Sequence, residues 1–143
     1  MRSNDSTDEL SAQMVGAKER SRQRAIAQKL IEAGLIPEIA GLQFVSSNEV
    51  QSIMDRAHES KRQTSWLSRS DWKEILPELE NWLNAHDPVV SGLTGVLASG
   101  TWFAERVQAL QCLWRDLYFY SPDGLSGYLV NHDSERGFET ITW

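Results

Sequence analysis

Cysteine is almost missing from this chain: Cys112 stands alone among 143 residues. No intrachain disulfide can form, and a cysteine-built zinc cluster is excluded. Long apolar runs are missing as well, since no stretch of about 18 apolar residues offers itself as a membrane span. The first 25 residues are polar and charged and lack the apolar centre of a secretory signal. A cytoplasmic location is therefore expected, with no membrane among the partners.

The signatures of common chemistry are absent too. None of His58, His86 and His132 sits in an HExxH pattern or near another ligand type at metal spacing. Gly92, Gly95 and Gly100 fit neither the dinucleotide fingerprint nor the P-loop, and no Gly-Lys-Ser/Thr occurs. Leu125-Ser126-Gly127 follows Gly124 as a tight turn rather than a nucleophile elbow. His132, Asp133 and Glu135 could hold a cation or move protons, but a solvated loop accounts for them equally well. An enzyme is disfavoured, and neither a metal nor a cofactor is expected.

Enough remains to build a core. Hydrophobic residues make up 41% and charged residues 24% of the chain, a globular balance. At this length one domain buries roughly 68–70% of its unfolded surface. Residues 1–15, rich in Ser, Asp and Asn, read as a mobile tail, and residues 16–143 as one α+β domain.

From Ala17 to Ala33 good helix formers carry Ile26, Leu30 and Ala33 on one stripe, with Gly34 as a stop. Ser46-Ser47-Asn48-Glu49 matches a capping box and opens a helix from Ser47 to about Glu59. After Ser70, the residues Trp72, Ile75, Leu76, Leu79 and Leu83 keep helical spacing, with a kink or break expected near Pro77. Residues 89–100 hold three glycines and read as a buried loop. Thr101 is placed to cap a core helix bearing Phe103, Val107, Leu110 and Trp114, with Cys112 buried beside them.

Helical spacing ends at Asp116. Leu117–Tyr120, the type I turn Ser121-Pro122-Asp123-Gly124, Gly127–Asn131 and Phe138–Trp143 read as a three-stranded antiparallel meander. The expected fold is thus about four N-terminal helices packed with that C-terminal meander.

Charge is distributed unevenly. Nine basic residues balance nine acidic ones over Met1–Ser65, whereas from Trp66 onward five basic residues meet eleven acidic ones. The whole excess of −6 lies in that second part. Such a field repels nucleic acid and attracts basic proteins. Lys18, Arg20, Arg22, Arg24 and Lys29 face only Glu19 and form the best phosphate-tracking feature in the chain. With no aromatic interleaved, a solvated helix face explains them better, so nucleic acid is disfavoured as a partner.

Asp71, Glu74 and Glu78 lie at i, i+3 and i+7, on one helix face. Six tryptophans are many for this length, and Trp82 and Trp143 stand at element edges where an aromatic can anchor a partner. With these go Asp116, Tyr118, Tyr120, Asp123, Asp133 and Glu135, the remaining candidates for an acidic, aromatic binding surface.

The stretch Leu113-Trp114-Arg115-Asp116-Leu117-Tyr118-Phe119-Tyr120-Ser121-Pro122-Asp123-Gly124, followed by Gly127-Tyr128-Leu129-Val130, resembles the helix-plus-meander ending of small bacterial immunity proteins of polymorphic toxin systems. That resemblance implies a small acidic cytoplasmic protein that neutralises a cognate toxin by occluding its active site or blocking its assembly. The expected function is non-catalytic, stoichiometric binding of a basic protein. The alternatives are an acidic chaperone or adaptor for a secreted protein, and a nucleic-acid-linked regulator using Lys18–Lys29.

Overall fold

The computed structural model describes the backbone of residues 2–39, 41–133, 135 and 137–143, with side chains within these ranges from residue 13 onward. The chain divides into two compact units, Met1–Gly41 and Leu42–Trp143. In the first, helix α1 runs from Arg2 to Glu32, beginning well before Ala17. Its end is set by Gly34, whose φ of 73° is left-handed and costs glycine nothing. The Leu35 amide donates to the Leu30 carbonyl (2.9 Å) and the Gly34 amide to that of Ile31 (2.9 Å), the paired bonds of a Schellman stop.

The second unit is α+β. Its described residues form β1 (Gln43–Phe44), α2 (Ser47–Ser60), β2 (Leu67–Arg69), α3 (Trp72–Asn84), β3 (Val89–Ser91), β4 (Val96–Ala98), α4 (Gly100–Ala104), α5 (Val107–Trp114), β5 (Leu117–Tyr120), β6 (Gly127–Asp133) and β7 (Gly137–Thr142). All seven strands join one antiparallel sheet in the order β1-β4-β3-β5-β6-β7-β2. The meander is therefore present as β5-β6-β7, but it is the middle of a seven-stranded sheet and not a three-stranded one. Five helices, not four, accompany it among the described residues.

The extra strands come from segments whose local pattern is weak. Residues 89–100, expected as a loop, fold into the β3-β4 hairpin, where Val89 pairs with Ala98 and Val90 with Leu97. β-branched Val89 and Val90 suit an extended buried strand and are fully buried. The expected core helix from Thr101 is two helices, broken at Glu105 and Arg106, and the first is capped by Ser99, which accepts from the Trp102 amide at 3.1 Å. Cys112 is exposed and not buried, because it lies off the Phe103, Val107 and Leu110 stripe.

Other local signals hold. Ser46 accepts from the Glu49 amide at 3.2 Å at the head of α2. Of the kink or break expected near Pro77, the break is absent: α3 runs on from Trp72 to Asn84, the cost of one missing amide being offset by the burial of Ile75, Leu79 and Leu83.

Alternation along β5 assigns the two faces of the sheet. Tyr120, with Leu129 and Ile141 on neighbouring strands, packs on Ile53 and Ala57 of α2. Phe119 points the other way and meets Phe103 of α4 edge-on, ring centroids 5.1 Å apart. Trp72 of α3 meets Phe138 of β7 on that same second face, with centroids 6.0 Å apart. One face thus carries α2, the other α3 and α4.

Candidate functional site

α3 builds one wall of the site. Asp71 caps it, accepting from the Lys73 amide at 3.0 Å, and the Ser70 hydroxyl donates to Glu74 at 2.9 Å. Helical period turns Ile75, Leu79 and Leu83 inward and leaves Glu74, Glu78 and Asn81 exposed, with Trp82 half-buried at the boundary. The other wall is the outer end of the sheet. Leu67 pairs with Thr140 and Arg69 with Phe138, so that Leu67, Arg69 and Thr140 share the α3 face with Tyr128 and Thr142.

Between these walls, with Thr64 and Ser65 at its mouth, lies a cleft of about 430 Å³. That volume lies in the lower part of the range of small-molecule pockets.

Arg69 is the hub. Its side chain is only 14% exposed. Nη1 donates to Glu78 Oε2 at 2.6 Å and to Thr140 Oγ1 at 3.4 Å, and Nη2 donates to the Glu74 carbonyl at 3.2 Å. The Tyr128 hydroxyl donates to the same Glu78 oxygen at 2.9 Å. The bond from Arg69 first, and that from Tyr128 after it, holds the Glu78 carboxyl below the usual carboxylate range. The same pairing with Glu78 raises Arg69. Burial, reinforced by the bond to Glu78, pushes Tyr128 up to about 12.

All three tyrosines of the chain are shifted the same way. Burial lifts Tyr120 to about 12, and burial with the nearby Asp116 carboxylate raises Tyr118. Each is neutral when folded but ionises near pH 10 when unfolded. The stability that Tyr120 and Tyr128 contribute is fully present below about pH 10 and is lost as pH rises through about 12. An ultraviolet titration of phenolate absorbance is expected to show two of the three tyrosines still un-ionised at pH 10 in the native protein. A native titration centred at pH 10 would contradict the burial of these rings.

The other expected residues are dispersed. Tyr120 is 3% exposed, so it is core and not a partner anchor. Tyr118 is half-buried, donating to the Asn131 side-chain oxygen. Asp116 accepts from the His132 amide at 2.7 Å, and Asp133 accepts from that of Glu135 at 2.9 Å, with Glu135 exposed. Asp123 closes the opposite end of the β5-β6 hairpin, accepting from the Ser121 hydroxyl at 2.6 Å and the Leu125 amide at 3.0 Å. Trp143 is half-buried on the α2 face, where its indole donates to the Gly124 carbonyl at 3.2 Å.

Glu78 and Trp82 therefore meet at the cleft, with Glu74 beside Arg69 and Asp71 at the head of their helix, and the remaining acids split between the two ends of one hairpin. The three carboxylates of α3 are also not a bare acidic row: Asp71 is engaged as a cap, and Glu74 and Glu78 share Arg69. Arg69, Asn81, Tyr128 and the exposed Leu67 were not among the expected site residues; Trp66, an edge aromatic by its pattern, is exposed but lies under Lys61, whose ammonium also stands over Trp143, and not in the cleft. The alternation of Leu67, Ser68 and Arg69 was the available signal for β2, too short to stand out.

Among the described residues, no group of His, Cys, Asp or Glu is placed to hold a metal ion, and no helix is long and apolar enough to cross a membrane. No protein-family model, curated protein or solved structure matches this chain.

Proposed function

We propose that this chain is a non-catalytic protein-binding domain of the immunity or inhibitor kind, which neutralises a cognate basic toxin by stoichiometric binding through the α3-β2 face. The observation that carries the reading is the joining of three features at one end of the sheet. β2 is an edge strand whose Leu67, 59% exposed, lines the cleft beside it. That cleft is also walled by Trp82 and Glu78, with the Glu74 carboxylate held nearby on Arg69. An aromatic in the wall of a pocket, with exposed apolar surface beside it, is the anatomy of a binding hot spot. The acidic excess of the second unit supplies long-range attraction for a basic partner.

Proton chemistry fits this face poorly. Glu78 is held as an anion and Tyr128 as a neutral phenol far from neutrality, so neither exchanges a proton near pH 7. The hub residues serve to hold α3 against the edge strand.

The test is purification of tagged protein from its native host at moderate salt. One basic protein bound one to one is the expected result. Nucleic acid alone would point to the Lys18–Lys29 helix instead, and a dimer carrying many unrelated unfolded clients would point to a chaperone. Either would overturn the reading.

A further inference from the structure

The cleft's own hydrogen-bonding capacity is lopsided. Its single cation among the described residues is spent: Arg69 binds Glu78, Thr140 and the Glu74 carbonyl, and its Nε lies 3.8 Å from the Glu74 carboxylate. Two carboxylates thus share one guanidinium. On Glu78 both donors, Arg69 and Tyr128, go to Oε2. Among the described residues Oε1 holds no hydrogen bond, and the side chain is 54% exposed. Asn81 is exposed on the next turn, and its side-chain amide likewise holds no bond among the described residues. Trp82 closes the wall, with His86 stacked at 4.0 Å and 20° on one side of its ring.

These facts select the occupant. An anion would meet a spare carboxylate oxygen and, among the described residues, no free cation, an arrangement that repels it. A neutral hydroxylated ring can donate to that oxygen but leaves the excess negative charge of two carboxylates on one guanidinium in place. A planar cation with several N–H donors satisfies Glu78 Oε1 and the Asn81 carbonyl together, and an indole offers it a favourable surface. The volume of about 430 Å³ admits a whole long side chain with water around it. We infer that the cleft between α3 and the β6-β7-β2 end of the sheet receives a guanidinium, an arginine presented by the protein partner. This rests on the protein-binding reading and names the group that reading would dock.

The test uses the full chain, nitrogen-labelled, titrated with Nα-acetylargininamide as probe. The Asn81 side-chain amide and the Trp82 indole N–H report the cleft by NMR. Saturable shifts at both are expected, with the isosteric but uncharged citrulline analogue at least about tenfold weaker, since hydrogen bonds to a charged group are the stronger ones. Glu78→Gln is expected to weaken the arginine probe by about tenfold or more. Because that change also frees Arg69, Asn81→Asp provides an independent variant at an exposed position. It adds a carboxylate to the cleft and is expected to tighten the probe several-fold.

No saturable shift at Asn81 and Trp82 would overturn the inference. So would equal binding of the citrulline or lysine analogue, of methyl glucoside or of inorganic phosphate, or an Asn81→Asp variant that binds no better. The two levels fail differently. A protein that co-purifies while the probe does not bind removes the arginine pocket alone. A probe that binds while only nucleic acid co-purifies removes the protein partner.

Discussion

Gly100→Ala is expected to leave the second unit unfolded. Gly100 is buried where the start of α4 crosses the end of α3, and its amide donates to the His86 carbonyl at 3.0 Å. A methyl group there would fall 1.6 Å from the Leu83 carbonyl oxygen and 2.2 Å from that of His86. Both obstacles are backbone, so no rotamer change relieves them, and the two helix ends would have to separate by more than an ångström. Ordinary overpacking costs about 1–3 kcal/mol. This case falls among the exceptional changes above about 4 kcal/mol, against a total of about 5–15 kcal/mol for a typical domain. Circular dichroism and a urea titration read the result. A variant with an unchanged midpoint would mean that α3 and α4 do not meet in this way.

The second large loss is expected at Phe103→Ala. Phe103 is 1% exposed and stands edge-on to Phe119 at 5.1 Å and to Trp102 at 5.2 Å, joining α4 to the centre of the sheet. Truncating a buried phenylalanine costs about 3–5 kcal/mol, part from lost burial and part from the cavity left behind. The urea midpoint should fall accordingly, whereas Phe103→Leu, which refills most of the volume, should lose no more than about 1.5 kcal/mol. Equal losses in the two variants would show that packing volume at this joint is not what matters.

What the sequence makes legible follows the range of the interactions. α2 announces itself through Ser46 and Glu49, and the β5-β6 turn through Ser121-Pro122-Asp123-Gly124, where the Gly124 amide donates to the Ser121 carbonyl at 2.9 Å. Such signals lie within four residues of each other. β2 instead depends on pairing Leu67 with Thr140, and β1 on pairing Gln43 with Leu97. Strands of two or three residues have too little periodicity to be seen without their partners. The break between α4 and α5 carries neither proline nor glycine, so a continuous apolar stripe concealed it. Cys112 is a plainer lesson: neighbours in sequence were apolar, but helical geometry turns it away from Val107 and Leu110.

The candidate site shows the same division. That Glu74 and Glu78 share a helix face is a matter of spacing. Their attachment to Arg69 is tertiary, created when β2 docks beside α3, and it changes their meaning from a bare acidic row to two carboxylates sharing one guanidinium, with Glu78 Oε1 left open. Leu67 gains significance only once β2 is known to be the outer strand.

Docking of a basic protein on the proposed α3-β2 face is read by placing a photo-crosslinking amino acid at position 81, irradiating in the native host, and identifying the product by mass spectrometry. The expectation is one basic protein, joined to position 81 through a segment containing arginine. Crosslinks only to nucleic acid, or none at position 81 while the same partner is captured from the opposite, α2 face, would contradict it.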